Sequence, residues 1–290
     1  MTLHDTVDMP AWAEKMAARV PRSCWAESNG CSIHYLAWND SDIEKPGLLL
    51  VHGMQAHAHW WDFVAPHFVD DFRVCAIDLS GMGRSNHRKA YPDQTFEDDI
   101  VAVLEHANLR PATVVGHSFG GSRVLNLAAR NLDGIARCVV LDSRFANHPA
   151  PSEEQVRGTI DAPIFESESA ALGRFRLLPH QDCPAWMLHH IARHSIRPVA
   201  GGWTWNFDPK LRYLQSRNDF AVLRRIQVPT DYLYGGASLL VGAERAREIV
   251  GAIPSGTGPV CVAGAGHHLM LDQPLALVAA LRGLFAGIAR

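Results

Sequence analysis

Short apolar runs alternate along the chain with longer segments whose apolar residues recur at helical spacing. The runs are continuous rather than alternating, which is typical of strands that are covered on both faces in a parallel sheet. Strands are predicted at LLLVHG (48–53), FRVCAID (72–78), ATVVGHS (112–118), RCVVLDS (137–143), TDYLYG (230–235) and GPVCVAGAG (258–266). Helices are predicted at HWWDFVAPHF, FEDDIVAVLEHA, SRVLNLAARN, GAERAREIV and QPLALVAALRGLF. This alternation predicts a doubly wound, mostly parallel α/β sheet.

The segment before the first of these strands has a different pattern. CWAESNGCSIHYLAWN contains two strand-like stretches around an Asn-Gly pair, which is the strongest short-range signal for a β-hairpin. We therefore expect an antiparallel hairpin at one edge of the sheet.

The alternation stops between residue 144 and about residue 227. This interval contains proline-punctuated pieces rich in tryptophan and histidine, such as CPAWMLHHIARH and GGWTWNFDPKLRYL. So long an interval between two core strands is expected to form a subdomain rather than a loop. We predict a core of residues 1–143 and 228–290 with a helical cap insertion at 144–227. The cap should lie over the carboxyl ends of the strands, where open α/β sheets bind ligands.

Composition narrows the class of protein. The chain has 290 residues, of which 47% are hydrophobic, and no segment approaches the ~20 uninterrupted apolar residues of a membrane span. The net charge of −3 argues against a nucleic-acid partner, because phosphate binding needs clustered Lys and Arg. The six cysteines are scattered without C-x-x-C or zinc spacing, which favours a reduced, cytoplasmic setting.

The pentapeptide GHSFG (116–120) lies between a predicted strand and a predicted helix. A G-x-S-x-G sequence at such a junction forms a tight turn that exposes the serine at the positive end of the helix. Glycines are needed on both sides of Ser118, because larger side chains would collide with the strand and the helix. Ser118 is the candidate nucleophile, and a serine hydroxyl needs a base to remove its proton.

At this point the sequence resembles the α/β-hydrolase superfamily over nearly the whole chain. LLLVHGM resembles the strand and turn that supply half of the oxyanion hole, and DLSGMGRS (78–85) resembles the turn after the next strand. GAGHH (264–268) resembles the late loop that carries the catalytic histidine. The resemblance implies His267 as the base, rather than His268, and the backbone N–H groups of Met54 and Phe119 as the oxyanion donors. His52 is expected to support its turn.

The position of the acid departs from the commonest family pattern. The acid usually follows the strand before the histidine loop, but this chain has YGGASLLVGAE, with Ser238 in that place. A serine hydroxyl can orient an imidazole but supplies no negative charge to stabilise an imidazolium. The sequence resembles a group of small esterases that pair this serine with an aspartate after the preceding strand. That resemblance implies Ser118, His267 and Asp142 as the triad and Ser238 as a possible second partner of His267; Glu244 is the alternative acid.

Two further groups of residues are candidates for a role at the site. His190 and His194 stand at i, i+4 beside His189, a spacing that can bind a metal. No Glu follows the first His as in H-E-x-x-H, and a serine nucleophile needs no metal, so no metal site is predicted. Trp61, which follows the HGM turn, and three tryptophans of the insertion are candidate pocket residues, although aromatic residues also simply hold small subdomains together: Trp186, Trp203 and Trp205.

The resemblance implies a serine hydrolase that cleaves small-molecule carboxylic esters through an acyl-enzyme, without a cofactor. Lactonases, thioesterases, carbon–carbon bond hydrolases and cofactor-free perhydrolases share the same residues and stay open. Relatives that open epoxides or remove halide use an aspartate at the elbow, whereas this chain has Ser118. A ligand-binding protein of the same fold without catalysis is the alternative from a different class. The sequence does not indicate an oligomeric state.

Overall fold

A computed structural model describes residues 9–146, 162–214 and 218–286 of the chain. Within these residues, eight strands form one sheet: β1 (Arg22–Ser28), β2 (Cys31–Trp38), β3 (Gly47–Val51), β4 (Arg73–Ile77), β5 (Ala112–His117), β6 (Ile135–Leu141), β9 (Thr230–Gly235) and β10 (Gly256–Val262). Their order across the sheet is β1-β2-β4-β3-β5-β6-β9-β10. The pairs from β4 through β10 in this order are parallel, whereas β1 with β2 and β2 with β4 are antiparallel. The predicted doubly wound, mostly parallel sheet is confirmed.

Both faces of the central strands β3, β4 and β5 are buried, whereas the edge strands β1 and β10 keep exposed residues. In β3, Leu48 and Leu50 join one apolar cluster, while Leu49 and Val51 join the other. This explains why the strands have continuous apolar sequences. The α-helices of the described residues are α1 (Ala11–Ala17), α2 (Thr95–His106), α3 (Phe119–Ala128), α4 (Glu168–Leu172), α5 (Ala185–His194), α6 (Phe220–Leu223), α7 (Ala243–Gly251), α8 (Leu269–Asp272) and α9 (Pro274–Phe285).

The edge hairpin turns at the Asn-Gly pair, as its sequence predicts. Asn29 and Gly30 have φ values of 48° and 76°, the left-handed conformations that a two-residue hairpin turn requires. By contrast, HWWDFVAPHF does not form an α-helix. It contains two short 3₁₀ helices, Ala58–Trp61 and Ala65–His67, because Pro66 has no backbone N–H to continue an α-helical ladder.

The interval between β6 and β9 contains elements of both kinds. Helices α4 and α5 are followed by a two-stranded antiparallel hairpin, β7 (Ile196–Val199) and β8 (Gly202–Trp205), then by a 3₁₀ helix, Pro209–Tyr213, and α6. The hairpin is absent from the helical pattern that the sequence predicts. Residues 147–161 and 215–217 of the proposed insertion lie outside the described residues. In the part of the chain that is described, no helix has the length and apolarity needed to cross a membrane.

Candidate active site

Ser118 lies at the turn between β5 and α3. Its φ and ψ of 53° and −115° are strained for a residue with a side chain, and they turn the serine out of the strand. The neighbouring glycines make this possible. A methyl group on Gly116 would lie 2.5 Å from the carbonyl oxygen of Gly120, and one on Gly120 would lie 2.4 Å from the carbonyl oxygen of His52.

Three side chains form a continuous hydrogen-bonded row that starts at Ser118. The Oγ of Ser118 is 3.0 Å from Nε2 of His267, and Nδ1 of the same ring is 2.6 Å from Oδ2 of Asp142. A neutral imidazole with its proton on Nδ1 satisfies both contacts: it donates to the carboxylate and accepts from the hydroxyl. His267 and Asp142 are buried, whereas Ser118 is partly exposed. The row can therefore move a proton from a hydroxyl that a ligand can reach.

Asp142 follows β6 and holds its position by several contacts. Its Oδ1 accepts from the backbone N–H of Gly235 at 2.9 Å, and its Oδ2 also accepts from Ser238 Oγ at 2.6 Å. The sequence predicted Ser238 as a possible second partner of the imidazole of His267. The structure places the hydroxyl on the carboxylate instead. Glu244, the alternative acid, is exposed in the first turn of α7.

Ser238 is itself fixed by the backbone that follows it. Its Oγ accepts from the N–H groups of Leu240 and Val241, at 3.2 and 3.3 Å. Because those donors occupy its lone pairs, the hydroxyl proton points to Asp142. The carboxylate of Asp142 thus accepts hydrogen bonds from three donors: the N–H of Gly235, Oγ of Ser238 and Nδ1 of His267.

The turn after β3 lies directly against Ser118. A methyl group on Gly53 would lie 3.4 Å from Cβ of Ser118, and Met54 follows immediately. Phe119 is the first residue of α3, where backbone N–H groups have no partner within the helix. Both N–H groups that the resemblance implies as oxyanion donors therefore belong to segments in contact with the serine.

Two histidines beside the row are held neutral by burial. Burial, reinforced by the neighbouring imidazoles of His267 and His268, keeps the pKa of His117 well below its ordinary value. Burial and the neighbouring His267 lower the pKa of His268 to about 3. His117 Nε2 donates to the carbonyl oxygen of His267 at 2.8 Å, so the residue before the nucleophile helps to position the base.

The loop that carries His267 is also held from the insertion. Gln181 Oε1 accepts from the backbone N–H of His268 at 2.8 Å. On the other side of the loop, Asp272 accepts from the N–H of Gly266 at 2.5 Å. Sequence reasoning did not identify Gln181, because a single glutamine in an irregular segment carries no pattern.

The turn after β4 is built around the buried carboxylate of Asp78. Its oxygens accept from the N–H of Ala58 at 2.6 Å, from Nδ1 of His34 at 2.7 Å and from the N–H of Arg84 at 2.8 Å. Burial alone would raise the pKa of Asp78, but these donors, His34 first among them, hold that pKa well below its usual range. The carboxylate thereby ties the DLSGMGRS turn to the segment that follows Met54.

His52 connects the same two turns. Its Nδ1 donates to the carbonyl oxygen of Gly53 at 2.6 Å, and its Nε2 accepts from the N–H of Leu79 at 3.1 Å. Burial lowers its pKa, which keeps the ring neutral and able to accept this bond. These contacts are those of a residue that supports the turn.

The four tryptophans that are candidate pocket residues make packing contacts. Trp61 is fully buried in the core, and Trp186 packs edge-on against Trp12 and Phe63. Trp205 packs edge-on against Phe165, whose backbone also pairs with that of Trp203. Trp60, the neighbour of Trp61, lies nearer the chemistry, since its ring centroid is 5.1 Å from that of His268.

A second group of polar side chains lies between the first 3₁₀ helix and α5. His59 Nδ1 and His190 Nε2 each lie 2.8 Å from Oδ2 of Asp62, and the ring of His194 stacks on that of His59 at 3.6 Å. The sequence identified the two histidines of α5 but not His59 and Asp62. They lie about 130 residues earlier, so no spacing rule connects them.

Comparisons with known proteins place this geometry in context. A family model described as alpha/beta hydrolase fold matches residues 46–274. The esterase Rv0045c of Mycobacterium tuberculosis (strain ATCC 25618 / H37Rv) is 28% identical over 87% of this chain and 86% of its own length. The esterase YbfF of Escherichia coli (strain K12) is 24% identical over 81% of this chain and 91% of its own length. Among solved structures, a thioesterase domain from the curacin biosynthetic pathway superposes with a TM-score of 0.75 and 26% identity, covering 91% of this chain and 99% of that chain.

Proposed function

Because the chain belongs to the alpha/beta hydrolase family, we propose that it cleaves carboxylic esters of small molecules through a covalent acyl-serine. The observation that carries this proposal is the row of Ser118, His267 and Asp142, with contacts of 3.0 and 2.6 Å. The similarity to two proteins named as esterases over most of the chain supports the same activity. Catalytic roles for these three residues are part of the proposal.

In the first half of the reaction, Oγ of Ser118 attacks the ester carbonyl carbon while its proton passes to Nε2 of His267. The electron pair of the C=O bond moves onto the carbonyl oxygen. Asp142 remains ionised and stabilises the imidazolium, and its bond to Nδ1 keeps the ring in the required orientation. The backbone N–H groups of Met54 and Phe119 donate to the oxyanion; the loss of one such donor typically costs ~3–4 kcal/mol of transition-state stabilisation.

In the second half, the tetrahedral intermediate collapses and the bond to the alcohol oxygen breaks. His267 gives its proton to that oxygen, and the alcohol leaves. A water molecule then loses a proton to the same imidazole and attacks the acyl carbon. The acid is released when Ser118 recovers its proton from His267. No other reactant is needed.

We further propose that residues 144–227 form the cap over this site and that 1–143 with 228–290 form the core. The contact of Gln181 with the loop that carries His267 supports this division, because it joins the proposed cap to the catalytic loop. Of the two adjacent tryptophans after the HGM turn, Trp60 is the better candidate to meet a substrate, since it packs beside His268. The packing of Trp61, Trp186, Trp203 and Trp205 favours a role in holding the elements together.

The setting is also part of the proposal. Each of the six cysteines, all of which lie in described residues, is a free thiol, and this supports a reduced, cytoplasmic environment. The net charge of −3 supports a small-molecule partner rather than a nucleic acid.

Thioester hydrolysis is the second candidate, because the curacin-pathway relative is a thioesterase domain. The same three residues and the same donors serve both reactions, and only the leaving group differs. A serine at the elbow disfavours epoxide opening and halide removal, which use a carboxylate nucleophile there. A non-catalytic ligand-binding protein has no use for a base aligned on Ser118.

A panel of substrates tests the proposal and ranks the candidates. Purified protein is assayed with p-nitrophenyl esters whose acyl chains have two to twelve carbons, with thioesters of the same acyl chains and with lactones. The kcat/KM values are then compared. We expect ester turnover that disappears in Ser118→Ala, and thioester turnover of comparable kcat/KM would favour the second candidate. Turnover that persists in Ser118→Ala, or none with any acyl substrate in the folded protein, would contradict the proposal.

A further inference from the structure

We propose that His59, Asp62, His190 and His194 bind one divalent transition-metal ion such as Zn²⁺, which joins α5 to the segment after Met54. The ligand atoms of these four side chains, one nitrogen or oxygen from each, lie within 4.8 Å of one another. They come from two segments that are distant in the sequence. The group shares no residue with the row of Ser118, His267 and Asp142.

The donor set is suited to this class of metal. Three imidazole nitrogens and one carboxylate oxygen form a tetrahedral set that zinc prefers, with ligand bonds of about 2.0–2.2 Å. Ligand atoms around such an ion lie about 3.3–3.6 Å apart in a regular tetrahedron. The histidine–carboxylate contacts of 2.8 Å must therefore open by about 0.5–0.8 Å, and separations of up to 4.8 Å must close by up to about 1.2–1.5 Å.

The carboxylate at the centre of the group is unusually placed. Oδ2 of Asp62 accepts from both His59 and His190, while its Oδ1 is buried and makes no hydrogen bond among the described residues. A buried oxygen of a carboxylate without a partner is costly unless a cation or water completes its shell. A metal ion bound at this carboxylate would supply that charge.

Helix α5 is placed so that its two histidines complete the set of metal ligands. His190 and His194 stand one turn apart on α5, so both rings face the 3₁₀ helix that carries His59. His194 and His59 also line a cleft of about 590 Å³, which gives an ion a path from solvent. Arg84 and Arg193 line the same cleft and repel cations. They disfavour ions that are held by charge alone, so a metal here depends on imidazole coordination.

Binding requires that two ring nitrogens give up their hydrogen bonds to Asp62. In a neutral imidazole, the proton moves to the other ring nitrogen, and the freed lone pair coordinates the metal. A protonated imidazole releases its proton to solvent, so affinity should fall at low pH.

Two measurements on tag-free, chelator-treated full-length protein test the proposal. Co²⁺ gives a visible d–d spectrum that reports tetrahedral nitrogen and oxygen ligands, and Zn²⁺ is then titrated to displace it. Thermal unfolding is followed with Zn²⁺ at about 100 times the measured Kd, where we expect Tm to rise by about 5 °C. The test variant is the double variant His190→Ala with His194→Ala, and His189→Ala is the matched control on the same helix.

A second metal-binding group has to be separated from this one. His117, His267 and His268 could also hold an ion at the active site. The titration is therefore repeated in His267→Gln, which removes a ligand of that group only. We expect the Co²⁺ spectrum and the Tm rise to persist in His267→Gln and His189→Ala and to disappear in the double variant. Asp62→Asn provides a second test that does not depend on the folding of the double variant.

Two results would overturn the proposal. One is a metal-bound spectrum that His267→Gln removes and the double variant keeps. The other is a wild-type Tm that neither Zn²⁺ nor a chelator changes, which would show that the four side chains form only a hydrogen-bonded contact between α5 and the 3₁₀ helix. Neither the Co²⁺ spectrum nor the Tm depends on esterase activity, so this test is independent of the proposed function.

Discussion

Replacement of Asp142 by asparagine tests the unusual position of the acid. The carboxylate uses Oδ1 for the N–H of Gly235 and Oδ2 for both His267 and Ser238. An amide has one oxygen and one NH₂ group, so it can satisfy only one side of this arrangement. Each of its two orientations damages the site in a different way.

In one orientation, the NH₂ group faces His267. The ring must then accept at Nδ1 and carry its proton on Nε2, where it cannot take the proton of Ser118. In the other orientation, the NH₂ group faces the N–H of Gly235, and a buried donor loses its partner at a cost of about 1–3 kcal/mol. No orientation restores the negative charge that stabilises an imidazolium. We therefore expect kcat to fall about 10⁴-fold, the loss typical when a triad acid becomes an amide.

The assay is steady-state hydrolysis of a p-nitrophenyl ester, with thermal unfolding to verify that each variant is folded. Ser238→Ala is the matched control, because it removes one donor to Asp142 but keeps the charge and the bond to His267. Its kcat should fall about 10-fold at most, which corresponds to ~1.4 kcal/mol. Wild-type turnover in Asp142→Asn, with loss of turnover in Glu244→Gln, would refute the reasoning and move the acid to α7.

Two further predictions concern the glycine at the elbow and the buried histidine next to the base. Gly120→Ala should destabilise the protein by about 1–3 kcal/mol or more in urea unfolding, because the new methyl group would lie 2.4 Å from the backbone oxygen of His52. Gly251→Ala, where the methyl group has open space, should cost nothing, and equal effects would contradict this view of the turn. Because the pKa of His268 is lowered to about 3, the unfolded chain binds a proton there below pH ~6.5 that the folded protein does not. As the pH is lowered from ~6.5 towards 3, this group should therefore reduce the free energy of unfolding by about 1.4 kcal/mol per pH unit. His268→Gln should reduce the measured slope by one proton, and an unchanged slope would contradict the assignment.

The fold was predictable because burial on both faces leaves a direct mark in the sequence. β3, β5 and β9 match the predicted segments to within a few residues, and the Asn29-Gly30 turn forms where the pair predicts it. The hairpin of β7 and β8 was missed because its strands have four residues each, and the first contains Pro198. So short a strand shows no periodicity from which a pattern can be recognised.

Residues of the candidate site could be predicted only where they lie in a recognisable local motif. GHSFG identifies Ser118 by the close packing that its glycines allow, and family resemblance supplied His267 and Asp142. The contact of Ser238 with the carboxylate, rather than with the imidazole, depends on the backbone N–H groups that orient its hydroxyl. Such contacts, like the meeting of His59 with α5, are set by tertiary packing and leave no trace in spacing.

The central claim is that Ser118 is a nucleophile activated by His267. Its most direct test is labelling with a fluorophosphonate, followed by intact mass measurement and peptide mapping. We predict one adduct per chain on Ser118, none in Ser118→Ala, and a much slower reaction in His267→Ala. An adduct on another residue, or no adduct on the folded wild-type protein, would contradict the account.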